Sequence, residues 1–246
     1  MSKISVVTVC YNAEASIEET MKSVFSQTYS DIEYIVIDGA STDNTLGVIN
    51  RFSDYSFLKI VSEPDSGLYN AMNKAIRLAQ GEYIIFLNSG DVFCDKDVLI
   101  NIAPHLSADI VYGNVCRKTH CGDVIEKYPG KRRVLWLLLQ GKMVSHQVIF
   151  TRTEIMRKYG FDESYTITAD FDFLARAVRD GCSLQYVDRD VSVMENRWGI
   201  SAKKENIAIM RAEDDRSLKT NFPFLYYLII LPKMIVRLIM RIIIPE

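Results

Sequence analysis

No glycine follows the first apolar run of this chain, and that absence narrows its ligand chemistry. Ile4–Val9 passes into the turn VTVCYNAEASIEE, where a dinucleotide fold would need a glycine-rich loop to bring bare backbone against a pyrophosphate. No Walker sequence occurs anywhere, so a P-loop is excluded too. An excess of one charge is also lacking. The 29 Lys and Arg against 31 Asp and Glu leave −2 overall, which gives no general electrostatic case for nucleic acid. The five cysteines, Cys10, Cys94, Cys116, Cys121 and Cys182, include no CxxC pair. Cys116 and Cys121 flank His120, but a zinc site wants a fourth ligand that the spacing does not supply. Reduced thiols in a reducing compartment are the plainer reading. There is no signal-peptide pattern before the first strand, so the expectation is a protein on the cytoplasmic side.

What is present is a core and an alternation. Apolar residues make up 48% of the 246 positions, ample for a packed interior and against disorder. Ile4–Val9, Glu33–Asp38, Leu58–Ser62, Tyr83–Leu87 and Asp109–Gly113 read as strands. Between them Ala15–Ser26, a segment from Ser41 or Thr42 to Phe52, Tyr69–Ala79 ended by Gly81, and Lys96–His105 read as helices. Strand–helix alternation implies an α/β fold whose mainly parallel sheet puts its strand ends on one edge. The second half is less regular. It suggests a hairpin around Cys121-Gly122-Asp123, a short strand Val148–Phe150, helices Thr153–Tyr159, Phe171–Asp180 and Glu205–Leu218, and strands Leu184–Val187 and Val191–Met194.

Aspartates recur at or after the apolar runs: Asp38 closes YIVID, Asp65 follows KIVSEP, Asp91 follows YIIFLNSG, and Asp170 opens a later helix. Ligands of open α/β sheets bind outside the carboxyl ends of the strands. Carboxylates there disfavour a bare phosphate unless a divalent cation stands between, so a metal-bound nucleotide is expected. Without glycine, the first turn must meet its ligand with side chains: Thr8, Tyr11 and Asn12 offer a hydroxyl, a ring and an amide. Asp38 is either an acceptor for base or ribose hydrogens or a turn-forming Asp before Gly39.

Taken together, VVTVCYN, VIDGASTDNT, EPDSGLYNAMNKAIRLAQGEYIIFLNSGD and FDESYTITADFDFLAR resemble the family 2 glycosyltransferases, which have the GT-A fold, a Rossmann-like nucleotide-binding architecture. The resemblance covers roughly Ile4 to Arg176 and is nearest to enzymes of bacterial capsules and exopolysaccharides of the colanic-acid type. It implies that Thr8, Tyr11, Asn12 and Asp38 contact the nucleoside and that Asp65 lies near base or ribose. Asn88-Ser89-Gly90-Asp91 then stands where the family keeps its DxD-type metal motif, with Asn88 replacing the first carboxylate. Mg²⁺ or Mn²⁺ suits such oxygen ligands, and on a nucleoside diphosphate it stabilises the charge of the leaving group. Asn73 and Lys74 either order the loop after Asp65 or reach sugar or phosphates.

An inverting transfer needs one carboxylate to take the acceptor proton. Asp170 and Asp172 are the candidates; two positions apart on a helix, they point in different directions. The family's ED-type motif maps the base onto Asp170, with Ala169 in the usual acidic place, and leaves Asp172 as helix N-terminal charge. Related exopolysaccharide enzymes carry a His-Gln pair like His146-Gln147, which suggests a place near sugar or diphosphate. Trp198 offers a face for an acceptor sugar or fills the core.

No acidic residue occurs from Lys127 to Thr153, a stretch that holds Lys127, Lys131, Arg132, Arg133 and Lys142 around VLWLLL. A phosphate-bearing or membrane-embedded acceptor accounts for that mixture. From Phe222 the sequence is FPFLYYLIILPKMIVRLIMRIIIPE. Lys233, Arg237 and Arg241 recur every fourth residue after Pro232, one cationic stripe on an apolar helix. An amphipathic helix at the membrane interface is the preferred reading, ahead of a helix docked on the domain or on a second subunit, and ahead of a span.

The expected organisation is therefore a glycosyltransferase domain over 1–220, with a donor half 1–114 and an acceptor half 115–220, followed by a membrane-associating tail over 221–246. The expected activity is inverting, metal-dependent transfer of a sugar from a nucleoside-diphosphate sugar to a lipid-linked glycan acceptor. It would occur peripherally on the cytoplasmic face of the inner membrane, without nucleic acid and with oligomerisation open. Two alternatives stand beside it. A nucleotidyltransferase would want a glycine-rich GxGxR-type loop with a lysine near the N-terminus, and no such loop is present. A non-catalytic relative sits poorly with intact Asp38, Asp91 and Asp170.

Overall fold

The computed structural model describes residues 2–119, 122–128, 134–195, 204–230 and 232. Strands β1 (Ile4–Cys10), β2 (Ile32–Asp38), β3 (Leu58–Ser62) and β4 (Tyr83–Phe86) alternate with helices α1 (Ile17–Phe25), α2 (Thr45–Asn50) and α3 (Leu68–Leu78). All four strands pair in parallel, in the order β3-β2-β1-β4. Every residue of β1 and β4 is buried, which is why both read as unbroken apolar runs. The chain walks outward from β1 to β3 and then returns to β4 on the other side of β1. With right-handed crossovers, α1 and α2 lie on one face and α3 on the other. The reversal between β1 and β4 is the switch point at which such sheets open a ligand crevice.

Beyond β4 come β5 (Val92–Phe93), α4 (Val98–Ile102), β6 (Ile110–Thr119), β7 (Gly122–Glu126), α5 (Val134–Leu138), β8 (Ile149–Arg152), α6 (Thr153–Tyr159), α7 (Ala169–Arg179), β9 (Leu184–Glu195) and α8 (Ile207–Asn221). The sheet continues β4-β8-β6-β9-β5, with β7 on β6, nine strands in all among the described residues. Here it becomes mixed. β8 is antiparallel to both β4 and β6, while β6 and β9 run parallel. The hairpin expected near Gly122 is present, with Thr119 opposite Gly122.

Three local expectations change. The two strands expected on either side of Asp188–Asp190 are one, β9. Its ladder with β6 slips between Tyr112 and Val115, where Gly113 passes so close that a Cβ would lie 2.6 Å from the Arg189 carbonyl oxygen. Gly81 does not end α3, which stops at Leu78 with Ala79 as its cap. Gly81 is instead a close approach to β1, since a Cβ there would lie 2.6 Å from the Ser5 nitrogen. The helix expected over Lys96–His105 is α4 followed by a 3₁₀ turn, Ala103–His105.

Helices α3, α6, α7 and α8 touch in succession, and Asp172 binds the last two together. Only 4% exposed, it accepts hydrogen bonds from Ser217 Oγ (2.8 Å), Asn221 Nδ2 (3.1 Å), Tyr165 Oη (3.1 Å) and Arg176 Nε (2.7 Å). That is a buried anchor for α8, a larger role than helix N-terminal charge. After α8, a short helical piece, Pro223–Leu225, continues as a π-helical turn, Tyr226–Ile230. Tyr226 and Ile230 are buried, while Phe224, Tyr227 and Leu228 are exposed. Lys131–Arg133, Trp198 and the stripe Lys233, Arg237 and Arg241 lie outside the described residues. Among the described residues, no helix is long and apolar enough to cross a membrane.

Candidate active site at the carboxyl edge of the sheet

Register places Cys10, Asp38 and Ser62 side by side at the ends of β1, β2 and β3. Asp38 is fully buried, and its carboxylate accepts hydrogen bonds from the Ser41 amide (3.1 Å), the Ser41 hydroxyl and the Ser62 hydroxyl (2.7 Å). Burial and the adjacent Asp38 charge push the Cys10 thiol far above its ordinary range. The loops after β1 and β2 are laced together: Asn12 N reaches Ser41 Oγ, Ala13 N reaches Thr45 Oγ1, and Asn12 Oδ1 accepts from the Thr42 amide. Asn12 and Ala40 both hold positive φ, 48° and 59°, a left-handed backbone that non-glycine residues adopt only when surroundings impose it.

Out of this frame stand Tyr11, 63% exposed, and Asp65, with Gly39 between them. A Cβ on Gly39 would lie 2.6 Å from Asp65 Oδ2 and 3.5 Å from the Tyr11 ring. Gly39→Ala is therefore expected to displace the Asp65 carboxylate and weaken nucleotide binding about tenfold, or about 1.4 kcal/mol. Isothermal titration with the melting temperature as a control checks this; unchanged affinity would remove Asp65 from the nucleoside site.

Several residues expected here are engaged elsewhere. Thr8 is fully buried; its hydroxyl donates to the Leu87 carbonyl (2.7 Å) and pairs with Tyr34 Oη (2.9 Å), which ties β1 to its neighbours and removes it from contact with a base. Asn73 holds the backbone of Phe161 from both ends of its amide and reaches Glu163. Lys74 donates to the Pro64 carbonyl (2.7 Å) and pairs with Glu63 (2.9 Å). Of the two roles open to Asn73 and Lys74, the contacts are those of loop ordering. Asn12 and Asp38 likewise build the loops after β1 and β2 from within.

Across the switch point, Asn88–Asp91 follows β4. Asp91 N closes the turn on the Asn88 carbonyl (2.9 Å), Gly90 takes φ 97°, and Gly90 N donates to Thr20 Oγ1 on α1 (2.9 Å). Asp91 is 8% exposed. Burial pushes its carboxyl up to about 6, against the pull of His146, a Gln147 hydrogen bond and Arg117. Asn88 Nδ2 lies 3.0 Å from His146 Nε2, while its Oδ1 is buried without a partner. The other ring nitrogen, His146 Nδ1, lies 3.0 Å from Asp170 Oδ2. Asp170 Oδ1 accepts from the Phe171 amide (2.9 Å). Tyr69 Oη is 3.3 Å from the same oxygen, but its hydrogen goes to the closer Ile167 carbonyl. Burial alone lowers His146, yet the Asp170 hydrogen bond and the charges of Asp170 and Asp91 raise it overall.

Asn88, His146 and Asp170 thus form one chain from the end of β4 to the start of α7, with Asp91 and Gln147 beside it. Among the described residues, no three His, Cys, Asp or Glu side chains stand close enough to hold an ion by themselves. A divalent cation nevertheless fits. Asp91 is a desolvated anion short of positive charge, and Asn88 Oδ1 is an orphaned oxygen, a set to which hard cations bind with phosphate oxygens and water completing the shell. Two clefts, of about 350 and 490 Å³, lie elsewhere, and neither is lined by Asp38, Asp65, Asp91, His146 or Asp170.

Sequence reasoning missed Ser41 and Ser62, which hold Asp38, and Tyr69 beside Asp170. It also missed Asp214 on α8. Burial pushes that carboxyl up to about 7; the Thr168 hydroxyl opposes the shift and the charges of Asp170 and Glu213 add to it. Tyr69 alone had a signal, an aromatic hydroxyl in the first turn after Asp65.

Comparison with known proteins identifies the family and the fold. The model of "Glycosyl transferase family 2" matches residues 5–181. A PGL/p-HBAD biosynthesis glycosyltransferase of Mycobacterium bovis is 30% identical over 182 residues, 70% of this chain and 68% of the relative. A UDP-Glc:alpha-D-GlcNAc-diphosphoundecaprenol beta-1,3-glucosyltransferase of Escherichia coli, WfaP, is 38% identical over 91 residues, 37% of this chain and 36% of that protein. Among solved structures, S. aureus TarS 1-349 with UDP-GlcNAc superposes with TM-score 0.70 at 19% identity, covering 92% of this chain and 73% of that one. The mannosyltransferase PcManGT of Pyrobaculum calidifontis, with GDP-Man and Mn²⁺, gives 0.64 at 20%, covering 90% and 63%. The mixed sheet, with its switch point between β1 and β4, is the GT-A fold, and the chain belongs to glycosyl transferase family 2.

Proposed function

We propose that this glycosyltransferase is an inverting, metal-dependent enzyme that moves a sugar from a nucleoside-diphosphate sugar to a lipid-linked glycan acceptor. The observation that carries the reading is the hydrogen-bonded line Asn88–His146–Asp170, which sets a carboxylate beside the loop suited to a diphosphate-bound cation. Tyr11 and Asp65 face the nucleoside across Gly39, and Asp38 shapes that loop. Asn88 and Asp91 would hold Mg²⁺ or Mn²⁺, which would neutralise charge on the departing diphosphate. Asp170, oriented by the His146 hydrogen bond, takes the proton of the acceptor hydroxyl as its oxygen bonds to the anomeric carbon. The bond from that carbon to the diphosphate breaks on the opposite face, releasing the nucleoside diphosphate. The diphosphoundecaprenol acceptor in the name of WfaP supports a lipid-linked acceptor here. The test is metal-dependent release of nucleoside diphosphate from UDP- and GDP-sugars. Release that ignores chelation would overturn the metal assignment, and none from any donor would leave a non-catalytic relative.

The tail supports a peripheral position at a membrane surface, which this reading puts on the cytoplasmic face. Phe224, Tyr227 and Leu228 already turn apolar surface outward, and the sequence beyond continues apolar with a cationic stripe. Because Tyr226 donates to Asp215 (2.7 Å) and is buried, the informative truncation begins after Ile230. That form is expected to leave anionic vesicles while retaining nucleotide binding. Replacing Lys233, Arg237 and Arg241 with Gln is expected to weaken vesicle binding by about 1 kcal/mol per charge. Equal co-sedimentation of intact and truncated forms would put the anchor elsewhere.

A further inference from the structure

The geometry points to His146 as a positioning residue that couples the metal-motif loop to the catalytic carboxylate, with Asn88 giving its amide nitrogen to the imidazole and its amide oxygen to the diphosphate-bound cation. The inference rests on the proposed roles of Asp170 and Asn88 and adds the device that joins them. Its logic is one of hydrogen-bond parity. The Asp170 carboxyl oxygen Oδ2 lies 3.0 Å from Nδ1, a contact that a hydrogen on Nδ1 completes. Asn88 turns its donor Nδ2 rather than its oxygen toward Nε2, 3.0 Å away, an arrangement that matches the neutral ring with its hydrogen on Nδ1. That orientation leaves Asn88 Oδ1 with no partner in a buried position, an arrangement that is unfavourable unless a ligand completes it.

An aspartate at position 88 would face Nε2 with an acceptor and break this parity. The amide therefore has a positive reason to stand where the family's motif usually begins with a carboxylate: it is at once a donor to the imidazole and an oxygen ligand. His146 is well placed for the task. It begins a 3₁₀ turn, His146–Val148, leading into β8, the strand between β4 and β6, so its backbone is fixed by the sheet. Its side chain is 22% exposed and that of Asp170 14%. One ring thus ties the Asn88 amide to the Asp170 carboxyl across the switch point.

Two substitutions separate the two ends of the ring. A glutamine amide reaches the place of Nε2 and an asparagine amide the place of Nδ1. His146→Gln is expected to keep the Asn88 contact and lose the one to Asp170: kcat falls about tenfold or more, while Mn²⁺-dependent affinity for nucleoside diphosphate changes less than about twofold. His146→Asn is expected to shift the balance the other way, weakening that affinity about fivefold or more with a smaller fall in kcat at saturation than His146→Gln shows. The probe is whichever of UDP, GDP or dTDP gives the larger Mn²⁺-dependent thermal shift. In metal-free wild type at alkaline pH, ¹⁵N NMR of the imidazole is expected to show Nδ1 protonated and Nε2 bare. A proton on Nε2 instead, or two variants that lose affinity and kcat alike in proportion to a fall in melting temperature, would overturn the coupling and leave a structural histidine. Asp170→Asn, run alongside, tells this failure from a deeper one. If it retains full turnover, the base assignment falls and the coupling with it; if it is inactive while both His146 variants match wild type, only the coupling falls.

Discussion

Asp170→Asn is expected to lower turnover by about 10²-fold or more, the usual scale for losing a general base, and to leave Mn²⁺-dependent nucleotide affinity within about twofold of wild type. The second half of that expectation comes from the contacts. The substituted amide would still present an oxygen to His146 Nδ1, now 3.0 Å from Asp170 Oδ2, so the His146–Asn88 contact stays and the donor loop keeps its shape. What is lost is the basic lone pair that receives the acceptor proton. Asp172→Asn is the matched control, because Asp172 points away from the site into Ser217, Asn221, Tyr165 and Arg176. It is expected to lower the melting temperature with little effect on kcat per folded molecule. Nucleoside diphosphate release under saturating donor, with folding checked by circular dichroism, decides between them. Wild-type turnover in Asp170→Asn together with loss in Asp172→Asn would transfer the base to the other carboxylate.

The first half of the chain was legible because its determinants are local. Runs such as ISVVTVC and YIIF are buried on both faces, and a parallel strand covered by helices has no reason to alternate. The positions of Asp38 and Asn88–Asp91 at strand ends follow directly. The second half is decided by pairings that no window of sequence contains. β8 enters between β4 and β6, β9 returns parallel to β6, and β5, only two residues long, exists because Ser192 and Val193 lie opposite it. Side-chain roles divide the same way. Thr8 looked like a ligand contact because its position matches the motif, but Tyr34 and Leu87 claim its hydroxyl across the core. Asn73 looked free to reach a phosphate until Phe161, distant in sequence, took its amide. Asn88 read as a weakened ligand, since nothing in NSGD announces that an imidazole from position 146 will want its hydrogen. His146 itself was placed near the sugar or diphosphate by resemblance, and its two contacts, one toward each half, show a more specific position than that.

Asp91→Asn is expected to remove metal-dependent nucleotide binding and, without metal, to make the protein more stable at neutral pH. The two effects have one cause. Burial raises the Asp91 carboxyl from 3.8 to about 6, so the folded protein holds that proton more tightly than the unfolded chain does. The stabilisation from this difference is fully present below about pH 3.8, fades as pH rises through about 6, and is absent above it, where the buried carboxylate is charged. Above pH 6 the neutral asparagine avoids that desolvation, a gain of roughly 1–3 kcal/mol, or several degrees in melting temperature for a domain of this size. At low pH the two proteins are expected to melt alike. Adding Mn²⁺ with nucleoside diphosphate should reverse the order at neutral pH: binding to the native state raises the melting temperature of wild type, and the variant, left with Asn88 alone, gains nothing. Acidification below about pH 6 should weaken the wild-type ligand effect as Asp91 takes up its proton. Thermal melts of both proteins across pH, with and without Mn²⁺ and nucleotide, test all of this in one grid. A variant that is less stable than wild type at every pH would mean that Asp91 serves the apoprotein fold, and a variant that keeps the Mn²⁺-dependent shift would remove Asp91 from the ion's ligands.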